Sequence, residues 1–444
     1  MGKQLEKISV SAGEDLLAFI PHIVGYWPVN SIVCIGMKGK RLRATMRLDL
    51  PPLNTADPDY FAQIAAGQLA SDEEADGCLL AIFGEQDWVQ AHDLPHSETY
   101  RGFRKAFAAV GVPVKDAWYV GPEHWRSLEC VDGRCCAWPG KGIASIRESY
   151  VNAEFIFRGS IVRDNPKEQI QKLTVLRDAE FAAAVAAAGT SMKETLAVHG
   201  DGQRQIGISL GTWEKALQAW PKTPSPVLTA YFLASLADAT VRDAVIVALA
   251  TSPQWSLAGA AGLGLLTPEP AQSVADRVVL PCGDGKYAAE NEAEKDEIVL
   301  EEVLKSMSRA ELKRATDDFG RVLVGEIETT GPARSNGALN SLEGGAELAG
   351  PDWGRLDRAE PLLLFLAGST DSADKAPVLC LLGWIQWCKG RGTWAGHYFQ
   401  ACLRHQPGYR LAVLLDELLT VGHIAECAKN PVTAWHGYGV AEAA

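Results

Sequence analysis

Apolar positions alternate most strictly between Arg41 and Leu50, with Leu42, Ala44, Met46, Leu48 and Leu50 on one side and Arg41, Arg43, Thr45, Arg47 and Asp49 on the other. Period two marks a strand with one face against a core. The preceding run, Ser31 to Met37, is apolar throughout, as in a strand covered on both faces, and Lys38-Gly39-Lys40 supplies the turn between the two. Upstream, Glu14 to Pro21 reads as a short helix ended by Gly25-Tyr26-Trp27-Pro28. Downstream, Pro51-Pro52 ends the hairpin and Asp57-Pro58 starts a helix reaching about Ala70. Gly77 to Phe83 then reads as a buried strand, His96 to Val110 as a helix stopped by Gly111 and Pro113, and Val114 to Val120 as a further strand. Hairpin, helix, strand, helix, strand predicts an α/β domain over residues 1–165, a mixed sheet flanked by helices.

Beyond Asn165 the spacing becomes helical, over Lys167 to Ala188, Trp213 to Trp220, Pro226 to Ala237 and Val241 to Ala250, with a charged helical stretch from Glu290 to Phe319. This predicts a helical domain over residues 166–328. Residues 329–354, rich in Gly, Ser, Asn and Pro, read as a mobile loop. Helices resume over residues 355–444, where Gly383, Gly390, Ala395, Phe399, Cys402 and Pro407 have the intervals of one two-helix unit of the tetratricopeptide type. Its first helix carries Leu379, Leu381, Leu382, Trp384, Ile385, Trp387 and Cys388, too apolar all round to be other than buried, and Arg410 to Val421 covers the pair. One such unit is recognisable, whereas an extended groove takes about three. The helices therefore either finish a globular domain or present a surface to a protein partner, with Trp387 as the aromatic that distinguishes the two.

Composition narrows the function classes. The 444 residues carry 42 basic and 55 acidic side chains, a net charge of -13 that opposes unspecific binding to nucleic acid or anionic lipid. No apolar run approaches the ~20 residues of a membrane span, and Glu6, Glu14 and Asp15 interrupt any secretion signal, so a cytoplasmic protein is expected. Ten cysteines scattered through apolar helical patterns read as reduced core residues.

Two local clusters bear on chemistry. Cys130, Cys135 and Cys136, with His124 nearby, are the densest set of soft ligands and would hold zinc if they hold an ion. Adjacent cysteines seldom share one ion, and packing beneath a loop is the competing reading; no cofactor is otherwise expected. Lys38, Lys40, Arg41, Arg43 and Arg47 form a basic strand face, with Arg47 and Asp49 near its carboxyl end, where open α/β sheets commonly dock ligands. An anionic ligand or an acidic partner helix fits there; a solvated face with an Arg47 to Asp49 pair is the alternative.

Other apparent motifs dissolve on inspection. Gly36-Met37-Lys38-Gly39-Lys40 is too short for a phosphate loop, and Pro95 separates His92 from His96. Asp243, three residues after Thr240, reads as part of a helix-starting box. No Gly-x-Ser-x-Gly elbow or Ser, His, Asp set stands out.

Gly25-Tyr26-Trp27-Pro28-Val29-Asn30-Ser31, Arg47-Leu48-Asp49-Leu50-Pro51, Trp125 with Cys130 and Cys135-Cys136, Val241-Arg242-Asp243, and Trp384 through Leu415 together resemble the actinobacterial domain of unknown function 4192 family. The resemblance spans most of the chain, with a gap around residues 285 to 350, and implies an architecture and no biochemistry. The expected function is a non-enzymatic binding or scaffold protein that engages a protein partner through its helical half. The alternative is an enzyme or small-ligand sensor with its site at the sheet edge near Arg47, Asp49 and the Cys130 to Cys136 loop.

Overall fold

The computed structural model describes residues 12–50, 58–90, 94–130, 132, 134, 136–158, 160, 162, 165–199, 201–268, 297–326, 350–430 and 432–435. The chain forms two compact units, Met1–Gln169 and Ile170–Ala444.

The first unit is a six-stranded mixed sheet between helices. Its strands are β1 (Ser31–Lys38), β2 (Arg41–Asp49), β3 (Gly77–Phe83), β4 (Val114–Val120), β5 (His124–Ser127) and β6 (Lys141–Gly142), and they lie in the order β2-β1-β3-β4-β5-β6. All neighbours are antiparallel except β3 and β4, which are joined by α3 (Ser97–Ala109) and run parallel. The continuous apolar runs follow from two-sided burial. Ile32, Cys34, Leu80, Ile82, Ala117 and Tyr119 pack with α2 (Pro58–Ala70) and α3. Val33, Ile35, Ala81, Phe83, Trp118 and Val120 pack on the other face with α1 (Gly13–Val24), α4 (Ala144–Arg147) and α5 (Tyr150–Phe157).

The expected single face of β2 is split. Ile35 pairs with Thr45 but Met37 with Leu42, so β2 has one residue more than β1 over that step, a bulge that reverses the alternation. Leu42 consequently packs on the α1 side, and Met46 and Leu48 on the α2 side. The arginines separate too. Arg43 reaches Asp72 and Glu74 beyond the end of α2, whereas Arg47, opposite Val33, lies on the α1 face.

The second unit is helical. Lys167 to Ala188 is two helices, α6 (Pro166–Thr174) and α7 (Ala179–His199), because Asp178 accepts the Phe181 N–H at 2.9 Å and starts the second. Helices α8 (Gln203–Ala219), α9 (Pro226–Ser235), α10 (Ala239–Ala250) and α11 (Pro253–Gly262) follow. Asp238, not Asp243, caps α10, accepting the Val241 N–H at 3.0 Å. Asp243 instead pairs with Arg242, whose Nη1 donates to the Tyr409 hydroxyl at 3.2 Å. The charged stretch is broken into α12 (Leu300–Ser306) and α13 (Arg309–Leu323) by a Ser308–Glu311 capping box. The expected loop over 329–354 lies largely outside the described residues; α14 (Trp353–Ala367) begins within its end, capped by Asp352.

Helices α15 (Lys375–Cys388), α16 (Gly392–His405) and α17 (Arg410–Thr420) form the expected C-terminal stack, and α18 (Glu426–Lys429) is one short turn. A Cβ on Gly383 would lie 2.5 Å from the Phe399 ring and 3.2 Å from the Ala395 carbonyl, so glycine is what lets α15 and α16 touch. The regions 166–328 and 355–444 share one core that joins residues such as Tyr231, Val245, Leu363 and Trp384. Lys389, with a fully buried side chain, is held by Asp357 and Glu360 at 2.7 Å each.

Trp387 is 2% exposed and its Nε1 donates to the His423 carbonyl at 3.1 Å. Trp387→Ala is therefore expected to lower the stability of the helical unit by ~3–5 kcal/mol in urea unfolding followed by circular dichroism. An unchanged midpoint would show that the indole is not packed.

Candidate functional site at the sheet edge

Where a sheet is covered on both faces, polar chemistry has to gather at the strand ends. β3 and β4 end together at Phe83 and Val120, and their registers bring Ser31 and Asp49 to the same edge. This is the carboxyl end of the parallel pair, the position that α/β sheets favour for ligands. The two described residues other than glycine with left-handed backbone, Asn30 (φ 45°) and His96 (φ 56°), both stand here. Such conformations cost of order 1–3 kcal/mol and collect at functional sites.

On the α2/α3 face, the loop after β3 carries Asp87 and Trp88, the β4–β5 turn carries Glu123, and β5 carries His124 and Arg126. Asp87 Oδ1 accepts the backbone N–H groups of Glu123 at 3.1 Å and His124 at 3.0 Å, which ties the two loops together. A Cβ on Gly121 would collide with Asp87, so glycine permits that approach. The Arg126 guanidinium lies 5.3 Å from the Trp88 ring and 5.6 Å from the Trp138 ring. Its Nε and Nη1 are shielded from water and have no hydrogen-bond partner among the described residues.

Tyr119 connects the arginine to the helix. Trp88 meets it edge-on at 6.4 Å, His96 stacks on it at 6.4 Å, and its hydroxyl donates to the Gln86 carbonyl at 2.6 Å. Burial and then the Asp87 charge push the Tyr119 phenol up to about 12, so it stays protonated and a donor. His96 stands at the N-cap of α3, whose first turn receives no side-chain cap, and its Nδ1 is buried without a partner among the described residues. Burial lowers the His96 pKa, keeping the ring neutral near pH 7.

On the opposite face a shallow pocket of about 250 Å³ is lined by Ala18, Pro21, Trp27, Ile146, Arg147, Asn152 and Val162. Arg147 lies 5.5 Å from the Trp27 ring, and Asn152 Oδ1 accepts from His22 Nε2 at 2.8 Å.

The residues singled out in the sequence are placed as follows. Arg47, 9% exposed, donates to the Ser31 hydroxyl at 2.9 Å through Nε and pairs with Asp49 at 2.7 Å, so its charge is already engaged within the edge. Asp49 is 75% exposed. Arg43, on the other face, is bound to Asp72 and Glu74 and does not join Arg47 in one basic site. Cys130 and Cys136 are half-buried thiols, with the Cys136 N–H donating to the Asp132 carbonyl at 2.8 Å. Cys135 lies outside the described residues, as does His92. His124 sits with Asp87 and Glu123. Trp387 belongs to the interior of the helical unit.

Asp87, Glu123, Arg126 and Trp138 escaped the sequence reading. The available signal was Asp87-Trp88 in the loop after an apolar strand, and a Gly121-Pro122 turn after Val120.

A lowered His96 pKa has a defined sign. The unfolded chain binds that proton more tightly than the folded one, so as pH falls below about 6.5 the first unit loses stability until the folded pKa is passed. Urea midpoints are expected to fall between pH 7.5 and pH 5.5, with a shallower fall in His96→Gln; equal slopes in the two proteins would refute the burial of that ring.

A family model described as a domain of unknown function, DUF4192, matches residues 14–261 and 351–424. No curated protein and no solved structure matches the chain.

Proposed function

The chain belongs to the DUF4192 family, and because that membership fixes no chemistry, we propose from the geometry that it binds a small anionic ligand, a carboxylate or phosphate, at the carboxyl edge of β3 and β4. Arg126 carries the reading. Arg126 is half-buried, and shielding its Nε and Nη1 from water costs free energy unless those N–H groups find an acceptor. Two indole faces return ~0.5–2 kcal/mol each and leave the N–H groups unanswered. An anionic acceptor supplies what is lacking, and the uncapped first turn of α3 adds the partial positive charge of a helix N-terminus at the same edge.

In this reading the site binds and does not catalyse, and the protein works in the cytoplasm of an actinobacterium. The eight described cysteines, all free thiols, support a reducing compartment. The net charge of -13 speaks against nucleic acid as the ligand.

A second reading concerns the helical unit. We take α15 and α16 as one tetratricopeptide-like pair, supported by the Gly383 contact, and its stack as the surface for a protein partner. The observation that favours it is the outer side of the last helices, where Leu414 is 47% and Val421 56% exposed, the place at which a further helix would stack.

Isothermal titration with inorganic phosphate, a nucleoside triphosphate and a tricarboxylate tests the first reading. At least one is expected to bind, about 10- to 100-fold more weakly in Arg126→Ala, with Arg126→Lys intermediate. No binding, or binding indifferent to Arg126, would reject it.

A further inference from the structure

Asp87, Glu123 and His124 each offer a ligand atom, and the three atoms lie within 4.8 Å of one another. They come from the loop after β3, the β4–β5 turn and the first residue of β5, at the carboxyl edge of β3 and β4, and we propose that they form a divalent metal site for a first-row cation such as Mn²⁺ or Zn²⁺.

The division of labour within Asp87 makes the site specific. Oδ1 is taken by the two backbone N–H groups of the facing turn, which fixes the carboxylate plane. Oδ2 is then presented to His124 Nδ1 at 3.6 Å, beyond hydrogen-bond length. Two ligands of one tetrahedral cation with bonds of ~2.0–2.1 Å stand ~3.3 Å apart, so a small ion bridges this gap with little movement. Glu123 is exposed, and its flexible side chain completes a set of two carboxylates and one imidazole.

That donor set selects the ion. Carboxylates suit Mg²⁺, Ca²⁺ and Mn²⁺, whereas imidazole favours the transition metals, so the mixture points to Mn²⁺ or Zn²⁺ over Mg²⁺ or Ca²⁺. Three protein ligands, two half-buried and one exposed, leave coordination positions open to an incoming ligand, unlike a closed four-cysteine structural site. The site differs in residues from the cysteine segment and uses only His124 of the set that the sequence brought forward. It does not depend on the Arg126 reading.

The test is calorimetry and Mn²⁺ electron paramagnetic resonance on the full chain with MnCl₂ and ZnCl₂ alone. One ion per chain is expected, weakened at least tenfold in His124→Ala and in Glu123→Gln, and unchanged both in Arg126→Ala and in a variant with Cys130, Cys135 and Cys136 all replaced by Ser. Glu123→Gln changes an exposed side chain and guards against loss of fold in the histidine variant. No ion bound by the wild type, or an ion lost with the cysteines and kept in Glu123→Gln and His124→Ala, would overturn the proposal. Loss of anion binding in Arg126→Ala with metal binding retained separates the two readings.

Discussion

The constraint on which the first unit rests is burial of β1, β3 and β4 on both faces. Once Ile32, Cys34, Leu80 and Ile82 are committed to one helical layer and Val33, Ile35, Ala81 and Phe83 to the other, these strands have no face left on which to expose a polar group. At ~25 cal/mol per Å² of apolar surface, opening such a face costs more than any single polar contact returns. Charged and strained residues are thereby driven to the strand ends. Asn30, Ser31, Arg47, Asp87, His96, His124 and Arg126 come from separate parts of the chain, yet they share one edge because the registers of five strands meet there.

The helical unit obeys a different constraint, close approach. Gly383 faces Phe399 with no room for a Cβ, and Trp384 and Trp387 donate their indole N–H groups to the Leu323 and His423 carbonyls at 3.1 Å each. Buried charges here are matched: Lys389 by Asp357 and Glu360, Arg355 by Glu214 through paired hydrogen bonds. Arg126, half-buried with Nε and Nη1 shielded and unpartnered among the described residues, departs from that pattern.

Much of the fold was legible in the sequence and little of the site. Strands β1 to β4 announce themselves through apolar runs and alternation, and the C-terminal hairpin through its small residues. Strands β5 and β6, four and two residues long, are too short for periodicity to speak. The first half of α8 was hidden because Gln205 and Ser209 are buried polar residues, satisfied by the Tyr231 hydroxyl at 2.9 and 3.0 Å, which no local pattern foretells. The bulge in β2 needs the partner strand to be seen, and it alone decides that Arg43 and Arg47 face opposite ways. Asp87 follows β3 and Arg126 lies in β5, on either side of the crossover through α3 and β4, so the sequence drew attention to the contiguous cysteines and away from residues that meet only in three dimensions.

The account stands or falls on the carboxyl edge of β3 and β4 being the working surface of the first unit. Two-dimensional ¹H–¹⁵N spectra of the full chain, recorded while inorganic phosphate, a nucleoside triphosphate and a tricarboxylate are each added in turn at constant ionic strength, test this most directly. The indole signals of Trp88 and Trp138 and the amides of Ser97, Glu98 and Arg126 are expected to shift together along one binding curve. Shifts centred instead on the Trp27 and Arg147 pocket or on the helical unit, or no saturable shifts at all, would contradict it.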